Sequence, residues 1–347
     1  MADLDLVGID LAKNVFQLHG CSSTGEVVFR KQLRRNKLLS FIAELPACTI
    51  AMEACSGSHY WGREFEALGH TVRLIAPKYV KPFVKRSKSD LIDAEAICEA
   101  ALRPTMRFVQ VRSEDNQAAA LAFKARDLLV RQRTQIINAL RGHLSEFGFV
   151  VAKGPTHVRK LVSAVEDGSI ELPEMSRPLL SIFVDTLEVL NVRIRQLEAQ
   201  IAQRAREDET CQRLTAIPGV GPIIATAIAA LAPPPSTFRR GRDFAAWVGL
   251  TPLQHSTGGK QRLGRTSKMG NRTLRRLLII GASAVVRWAE QKGAVPGSWL
   301  ARMLERKPPM LVRVALANKM ARIVWALMAH GEAYRDQSLH VRAVQTI

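Results

Sequence analysis

The pattern of apolar and polar positions over the first hundred residues predicts alternating strands and helices. Five short runs have the two-residue alternation or the apolar character that is typical of strands. They are LDLVGID, NVFQLHG, EVVFRKQL, CTIAME and TVRLIA. Helical runs separate the later ones and follow the last: NKLLSFIAEL, SHYWGREFEALG and SDLIDAEAICEAAL. Three antiparallel strands followed by alternating helices and strands is the order of an RNase H-like fold, an α/β fold with a mixed sheet covered by helices.

The pattern becomes helical after Pro104. Residues 114–146 contain no proline and only Gly142 as a weak breaker, which predicts one long helix or two short ones. Beyond Pro178, apolar residues recur in alternating steps of three and four, which places them on one seam. The seam consists of Leu180, Phe183, Leu187, Leu190, Ile194, Leu197 and Ile201. We predict a coiled coil or an antiparallel helix hairpin, whose partner is either residues 114–146 or a second copy of the chain.

Shifts in composition predict four segments. Residues 1–150 form the α/β domain with a long helix at its C-terminal end, and residues 151–208 form a helical coiled-coil linker. Residues 209–335 are basic and punctuated by glycine and proline, which predicts a mainly α-helical domain. Residues 336–347 are expected to be a frayed tail.

The charge of the chain predicts a polyanionic partner. Its 347 residues include 50 Lys and Arg against 31 Asp and Glu, a formal net charge of +19. Such an excess favours nucleic acid, bound through phosphates in a salt-dependent way. No apolar run reaches the about 18 residues that a spanning helix needs, and the N-terminus carries acids where a secretion signal carries Lys or Arg. We therefore expect a cytoplasmic protein with no membrane partner.

Cysteine usage excludes two structural classes. The five cysteines are odd in number and widely spread, and they contain no C-x-x-C pair. This pattern predicts neither a disulfide framework nor a zinc site.

Four acids occupy positions that suit metal-assisted phosphoryl transfer. Asp10 ends the first strand and Glu53 ends the fourth, while Asp90 and Asp93 share one face of a helix's first turn. Their oxygens are the ligands that Mg²⁺ prefers beside a phosphodiester, with one or two ions per site. Each acid alone also fits a capping role at a turn or a helix N-terminus. All four in this order favour the metal site.

A glycine-rich turn lies in LTAIPGVGPIIATAIAAL, residues 214–231. It resembles a helix-hairpin-helix, in which the backbone around Gly219 and Gly221 would approach a phosphate at a helix N-terminus. The alternative is a tight turn between two buried helices.

Residues 255–276 form a basic stretch with no acid. A flexible loop of this kind suits the wrapping of a phosphate backbone and the stabilisation of charge on a transferring phosphoryl group. Its cations are Lys260, Arg262, Arg265, Lys268, Arg272, Arg275 and Arg276. Its hydroxyls are Ser256, Thr257, Thr266, Ser267 and Thr273. Composition alone favours a solvated basic loop without a catalytic serine.

A second group of cations precedes the helix that carries Asp90 and Asp93. We predict phosphate contacts for these side chains, with plain solvated surface as the alternative. They are Lys78, Lys81, Lys85, Arg86 and Lys88.

The motifs around these residues resemble one known family. GIDLAKNVF, AMEACSG and KSDLIDAEAI resemble the catalytic motifs of the DEDD insertion-sequence transposases that include the Piv DNA invertases, the insertion-sequence 110 family. LTAIPGVGP, FAAWVGLTP and the stretch from HSTGG to RTSKMGNRTLRR resemble the C-terminal transposase domain of that family. The resemblance covers nearly the whole chain in the same order and spacing.

The resemblance implies a transposase or site-specific recombinase with a RuvC-like domain. Asp10, Glu53, Asp90 and Asp93 would form its Mg²⁺-binding tetrad, and Ser256 would become transiently esterified to a DNA phosphate. Because Ser256 is placed by a gapped match, Thr257 and Ser267 remain competitors.

The resemblance also implies partners. The active site would combine the carboxylate domain of one protomer with the serine domain of another in a dimer or tetramer. A noncoding bridge RNA would pair with donor and target DNA, which suits a chain that binds backbones more than bases.

Two other functions are compatible with the residues. One is a RuvC-like Holliday-junction nuclease that uses water as the nucleophile and leaves Ser256 idle. The other is a non-catalytic nucleic-acid-binding scaffold.

Overall fold

A computed structural model describes residues 3–85, 90–168 and 170–335, with Asp90, Leu91 and Pro155 described by their backbone alone. The predicted phosphate contacts of Arg86 and Lys88, and the tail 336–347, lie outside the described residues. The chain divides into two compact units, with the boundary between Gln117 and Ala118.

The first unit is an α/β structure, as predicted. All five predicted strands are present, and the two-residue strand β6 is an addition. The strands are β1 (Leu6–Asp10), β2 (Val15–Cys21), β3 (Val27–Arg34), β4 (Thr49–Glu53), β5 (Thr71–Ile75) and β6 (Phe108–Val109). The helices are α1 (Leu38–Ala43), α2 (Ser58–Ala67), α3 (Pro77–Val80) and α4 (Asp90–Ala101).

The six strands form one mixed sheet in the order β3-β2-β1-β4-β5-β6. The pairs β1–β2, β2–β3 and β5–β6 are antiparallel, whereas β1–β4 and β4–β5 are parallel. Three antiparallel strands followed by parallel strands with intervening helices is the predicted order, and it fits an RNase H-like fold.

Alternation along each strand divides the sheet into two buried faces. One face carries Val7, Ile9 and Phe16, which pack in a cluster with residues of α1 and α2. The opposite face carries Leu6 and Ala51, which pack against apolar residues of α4. Helix α4 therefore lies on the face opposite to α1 and α2.

The second unit is mainly helical, as predicted. Residues 114–146 form a single helix, the first of the two alternatives that the sequence left open, and no helix within the described ranges is long and apolar enough to span a bilayer. The helices are α5 (Glu114–Glu146), α6 (Val158–Glu166), α7 (Ser176–Glu207), α8 (Glu209–Thr215), α9 (Pro222–Leu231), α10 (Gly241–Val248), α11 (Arg272–Lys292), α12 (Trp299–Arg306) and α13 (Pro309–His330). A hairpin of β7 (Pro252–Gln254) and β8 (Leu263–Thr266) interrupts them.

The predicted seam on α7 packs within the chain against α5. The partners run in opposite directions: Arg126 pairs with Glu198, Arg133 donates to Asn191 at 3.3 Å, and the rings of His143 and Phe183 stack 5.7 Å apart. The two helices thus form an antiparallel hairpin. Five members of the predicted seam are buried, and the other two, Phe183 and Leu197, are half-buried. The helix also buries Val184 and Ala205, which the seam did not include.

The turn of the helix-hairpin-helix-like segment packs closely against α11. A Cβ on Gly281 would lie 2.1 Å from the carbonyl oxygen of Gly219, and a Cβ on Gly219 would lie 2.7 Å from that of Gly281. Gly219 also has a φ of +85°, which disfavours other residues. Gly219 therefore allows the backbone of the turn to lie close to the backbone of α11. Gly221 is exposed and lies directly before α9.

We expect Gly281→Ala to lower the free energy of unfolding by about 1–3 kcal/mol, because the new methyl group overlaps the backbone of Gly219 and must displace it. Urea denaturation followed by circular dichroism measures the change. Gly142→Ala on α5 is the matched control, since no atom lies within 4 Å of its built Cβ. That substitution should raise stability by about 0.5–1 kcal/mol through helix propensity. Equal effects of the two substitutions would show that the close approach is not needed.

Candidate active site

The carboxyl ends of β1 and β4 bring two of the predicted acids to one edge of the sheet. These strands are parallel neighbours in which Gly8 pairs with Ala51 and Ile9 with Met52. Continuing this register places Asp10 beside Glu53. Because alternate residues share a face, both acids lie on the same face as Gly8 and Ala51, which is covered by α4.

Helix α4 approaches this edge closely because residue 8 is glycine. A Cβ built on Gly8 would lie 2.5 Å from the carbonyl oxygen of Ala94 and 2.7 Å from the Sγ of Cys98. Only a residue without a side chain allows this distance. The first turn of α4, which carries Asp93, is therefore held over the end of β1.

The electrostatics of the acids agree with this geometry. Burial raises the pKa of Glu53, and the negative charge of Asp93 raises it further. Burial also raises the pKa of the Cys55 thiol, with further contributions from Glu53 and Asp10. The charges of Asp10, Glu53 and Asp93 therefore act on the same small region, where the charge of Asp93 opposes the ionisation of Glu53.

The chemistry of these acids, rather than their spacing, suits a divalent cation. Within the side chains that the structure describes, no three His, Cys, Asp or Glu lie close enough together to hold a metal ion; Asp90, the remaining predicted ligand, is described by its backbone only. The donors present are carboxylate oxygens, which hard cations such as Mg²⁺ prefer. Burial is the main cause of the raised pKa of Glu53, and a cation would offset the second cause, the negative charge of Asp93. The residues therefore fit the predicted metal, although the predicted ligand set stays a prediction.

Where the sequence predicted an adaptable loop, the first part of the basic stretch completes a β-hairpin with β7, and its last five residues, 272–276, begin helix α11. Strands β7 and β8 are antiparallel, and an isolated bridge between Thr257 and Lys260 closes a two-residue turn. The turn residues Gly258 and Gly259 have φ values of +55° and +76°, the left-handed conformation that tight hairpin turns require. The glycines therefore fix the turn.

The three candidate nucleophiles differ in their surroundings. Ser256 lies just before the hairpin turn, is exposed, and accepts a hydrogen bond from the side-chain amide of Gln254 at 3.2 Å. Thr257 is also exposed and takes part in the bridge. The Oγ of Ser267 is buried, and no described residue forms a hydrogen bond with it. Accessibility favours Ser256 and Thr257 over Ser267.

The cations of the basic stretch fall into two groups. Arg275 donates to the carbonyl oxygens of Val248 and Met269, and Arg276 pairs with Asp127 on α5, so both have intrachain partners. The others form no ion pair with any described residue, which leaves their charge available to an external anion. This second group is Lys260, Arg262, Arg265, Lys268 and Arg272.

The cations before α4 are more varied. Lys85 forms an ion pair with Glu95 at 2.5 Å, and Lys78 lies 4.5 Å from the ring centroid of Tyr79. Lys81 is exposed. Of these three, Lys85 is the one whose charge is already matched by an acid.

One polar side chain beside the acids was not singled out by the sequence. Gln17 on β2 pairs directly with Asp10, is only 8% exposed, and has an Oε1 with no hydrogen-bond partner in the described part of the chain. The signal was present in the strand VFQLHGC, where Gln17 and His19 are polar residues within a buried segment. Without the strand register, however, nothing connected it to Asp10.

The strand order and the covering helices of the first unit fit an RNase H-like fold. Comparison with known proteins identifies the family. Residues 7–149 match the family model of the DEDD transposases of IS110 elements, and residues 211–294 match that of the transposase IS116/IS110/IS902 family. The chain belongs to the IS110 family of insertion-sequence transposases.

Relatives align along almost the full length of the chain. A "Probable family 20 transposase" of Pseudomonas aeruginosa is 50% identical over 335 residues, covering 96% of this chain and 99% of that protein. The transposase for insertion sequence element IS1328 of Yersinia enterocolitica is 40% identical and covers 96% of this chain and 99% of its own. The transposase for insertion sequence element IS1111A of Coxiella burnetii is 39% identical, and the alignment covers 96% of this chain and 92% of that protein.

Proposed function

We propose that this transposase cuts and rejoins DNA by transferring a phosphodiester to the hydroxyl of Ser256 and then back to DNA. In the first step the Oγ–P bond forms while the P–O3′ bond of one strand breaks. The proton lost by the serine is matched by the proton that the departing 3′ oxygen gains. A 3′ hydroxyl of the partner strand then reverses the linkage, and the covalent joint preserves the bond energy, so that no ATP is needed.

The observation that carries the proposal is the position of Ser256 on the basic hairpin. Its exposed hydroxyl lies one residue before the Thr257–Lys260 bridge, on a segment whose cations Lys260, Arg262 and Arg265 have no acidic partner among the described residues. Cations without intrachain partners stabilise charge that builds on a transferring phosphoryl group. A serine hydroxyl needs such surroundings, since it is a weak nucleophile at neutral pH.

We assign Asp10, Glu53, Asp90 and Asp93 as the carboxylates that hold one or two Mg²⁺ ions. The metal would neutralise charge on the scissile phosphate and favour the ionised form of an attacking hydroxyl. The raised pKa of Glu53, caused by burial and by Asp93, supports the assignment.

Donor and target DNA are the proposed substrates, and a noncoding bridge RNA is the proposed guide. The net charge of +19 suits a protein that binds the backbone of a guide–DNA duplex. We further propose a dimer or tetramer in which the acids of one copy and the serine of another copy form one active site. Exposed apolar residues on α7 support an assembly: Leu179, Ile182 and Val189 are 59%, 59% and 57% exposed.

One experiment tests the proposed function. Purified protein and any copurified RNA are incubated with Mg²⁺ and a plasmid that carries the element ends, and the products are denatured and run on a gel. Protein attached to cleaved DNA supports the proposal. Cleaved ends without protein would instead support the junction nuclease that uses water, and intact DNA would support the scaffold. If removal of the RNA leaves the choice of DNA cleavage site unchanged, the proposal of a guide RNA is wrong.

The unpaired cations of the hairpin predict a salt dependence. We expect Arg262→Ala to weaken DNA binding and to reduce the slope of log affinity against log salt by about 1, because one phosphate contact is lost. Fluorescence anisotropy over a range of salt concentrations measures the slope. The control is Arg206→Ala, which removes an exposed arginine of α7 that hydrogen-bonds Gln203. Identical slopes for wild type and Arg262→Ala would exclude the contact.

A further inference from the structure

Gln17 is a polar residue of the sheet that lies beside the proposed metal-binding acids. It lies in the middle of β2 and is directly opposite Asp10 in the antiparallel register of β1 and β2. Directly opposed residues share one face, with Cβ atoms about 4.5–5.5 Å apart. The side chain of Gln17 therefore lies on the α4 face, in the same row as Asp10 and Glu53.

The carboxamide of Gln17 is buried and incompletely satisfied. The residue is 8% exposed, and its Oε1 has no hydrogen-bond partner among the described residues. Leaving a buried acceptor unpaired costs about 1–3 kcal/mol, so such an atom calls for an explanation. A purely structural role at this buried position would be served better by an apolar side chain, which leaves no acceptor unpaired.

Within its row of the sheet, the described neighbours of Gln17 do not supply the missing donor. Asp10 and Glu53 carry acceptor oxygens when they are ionised, and neither can then donate to the carboxamide oxygen. The other side chain of the row is Gln32 on β3, which pairs directly with Gln17 but is exposed. An acceptor that faces carboxylates is best satisfied by the hydrogen atoms of water bound to a cation.

We propose that Gln17 is a positioning residue of the divalent-cation site, where its Oε1 accepts a hydrogen bond from a water molecule on the cation held beside Asp10. The inference rests on the proposed carboxylate site and adds a neutral oxygen to it. Because Mg²⁺ keeps several of its waters when proteins bind it, an acceptor aimed at one of them fixes the orientation of the hydrated ion. Outer acceptors of this kind contribute about 10- to 100-fold to metal affinity.

The test is the binding of Mn²⁺ to the full-length protein, followed by the electron paramagnetic resonance signal of the free ion. Gln17→Met removes the oxygen and keeps the size, and it should weaken Mn²⁺ binding by about 10- to 100-fold. Its melting temperature without metal should stay the same or rise, because the unpaired acceptor is gone. Gln32→Met makes the same change one strand further from Asp10 and should leave Mn²⁺ binding unchanged.

The outcomes separate this inference from the proposed function. If Glu53→Gln weakens Mn²⁺ binding and Gln17→Met does not, the carboxylate site stands and the role of Gln17 is overturned. If the wild-type protein binds no Mn²⁺, or Glu53→Gln binds it as tightly as wild type, the carboxylate site itself fails and the inference falls with it. A lower melting temperature for Gln17→Met with unchanged Mn²⁺ affinity would show a structural role alone.

Discussion

Replacing Ser256 by alanine should abolish the covalent protein–DNA product and lower strand cleavage by about 10³-fold or more. The expected loss is large because the hydroxyl is the atom that attacks phosphorus, and no other group replaces it in the same step. DNA binding should change little, since the cations of the hairpin remain. Denaturing gels of labelled substrate measure the adduct and the cleaved strand, and a filter-binding assay measures affinity.

The neighbouring hydroxyls provide matched controls for that result. Thr257→Ala and Ser267→Ala each remove one hydroxyl from the same hairpin segment, and we expect the adduct to persist in both. Loss of the adduct in Thr257→Ala alone would move the nucleophile by one residue. Normal cleavage by Ser256→Ala would show that water attacks, as in a junction nuclease.

Glu53→Gln should have the second largest effect, a decrease in cleavage of about 10²- to 10³-fold with DNA binding retained. The substitution keeps the size of the side chain but removes a charged ligand from the proposed Mg²⁺ site, where charge stabilises the transferring phosphoryl group. Cleavage rates at saturating Mg²⁺ measure the effect. Glu66→Gln is the control, because burial raises the pKa of Glu66 too but no acid is among the causes. Full activity in Glu53→Gln would contradict the metal site.

The same substitution should stabilise the protein in the absence of divalent cations. The pKa of Glu53 is raised in the folded state, so its contribution to stability is complete when the group is protonated and is lost as the pH rises through the raised pKa. Glutamine does not ionise, and we therefore expect a higher melting temperature than wild type at neutral pH without metal. The difference should vanish below the ordinary pKa of glutamate. Loss of activity together with gain of stability is the signature of a functional acid.

Much of the fold was predictable because the hydrophobic period is encoded in neighbouring residues. The strands β1 to β5 follow from runs of alternating or continuous apolar residues, and helix α7 follows from its steps of three and four. The order of these elements then indicated the RNase H-like sheet. The acids could also be located, since each stands at the end of a strand or at the start of a helix.

Other features left no periodic signal. Strand β6 has only two residues, which is too short for a period. The strands of the hairpin are almost entirely exposed, so they have no buried face that would leave an apolar pattern. Gln17 was missed because its neighbour across the sheet is seven positions away in the chain. The role of Gly8 depends on how closely α4 approaches it, which no local pattern describes.

The sequence by itself determined the elements, the order of the acids and the basic character of the serine segment. Each of these depends on residues that are close together along the chain. Only the tertiary structure decided that the seam of α7 packs on α5, that Asp10 lies beside Glu53 under α4, and that Gln17 faces Asp10 with an unpaired oxygen. Such contacts join distant residues, and they depend on strand register and on the space between elements, which a local period does not encode.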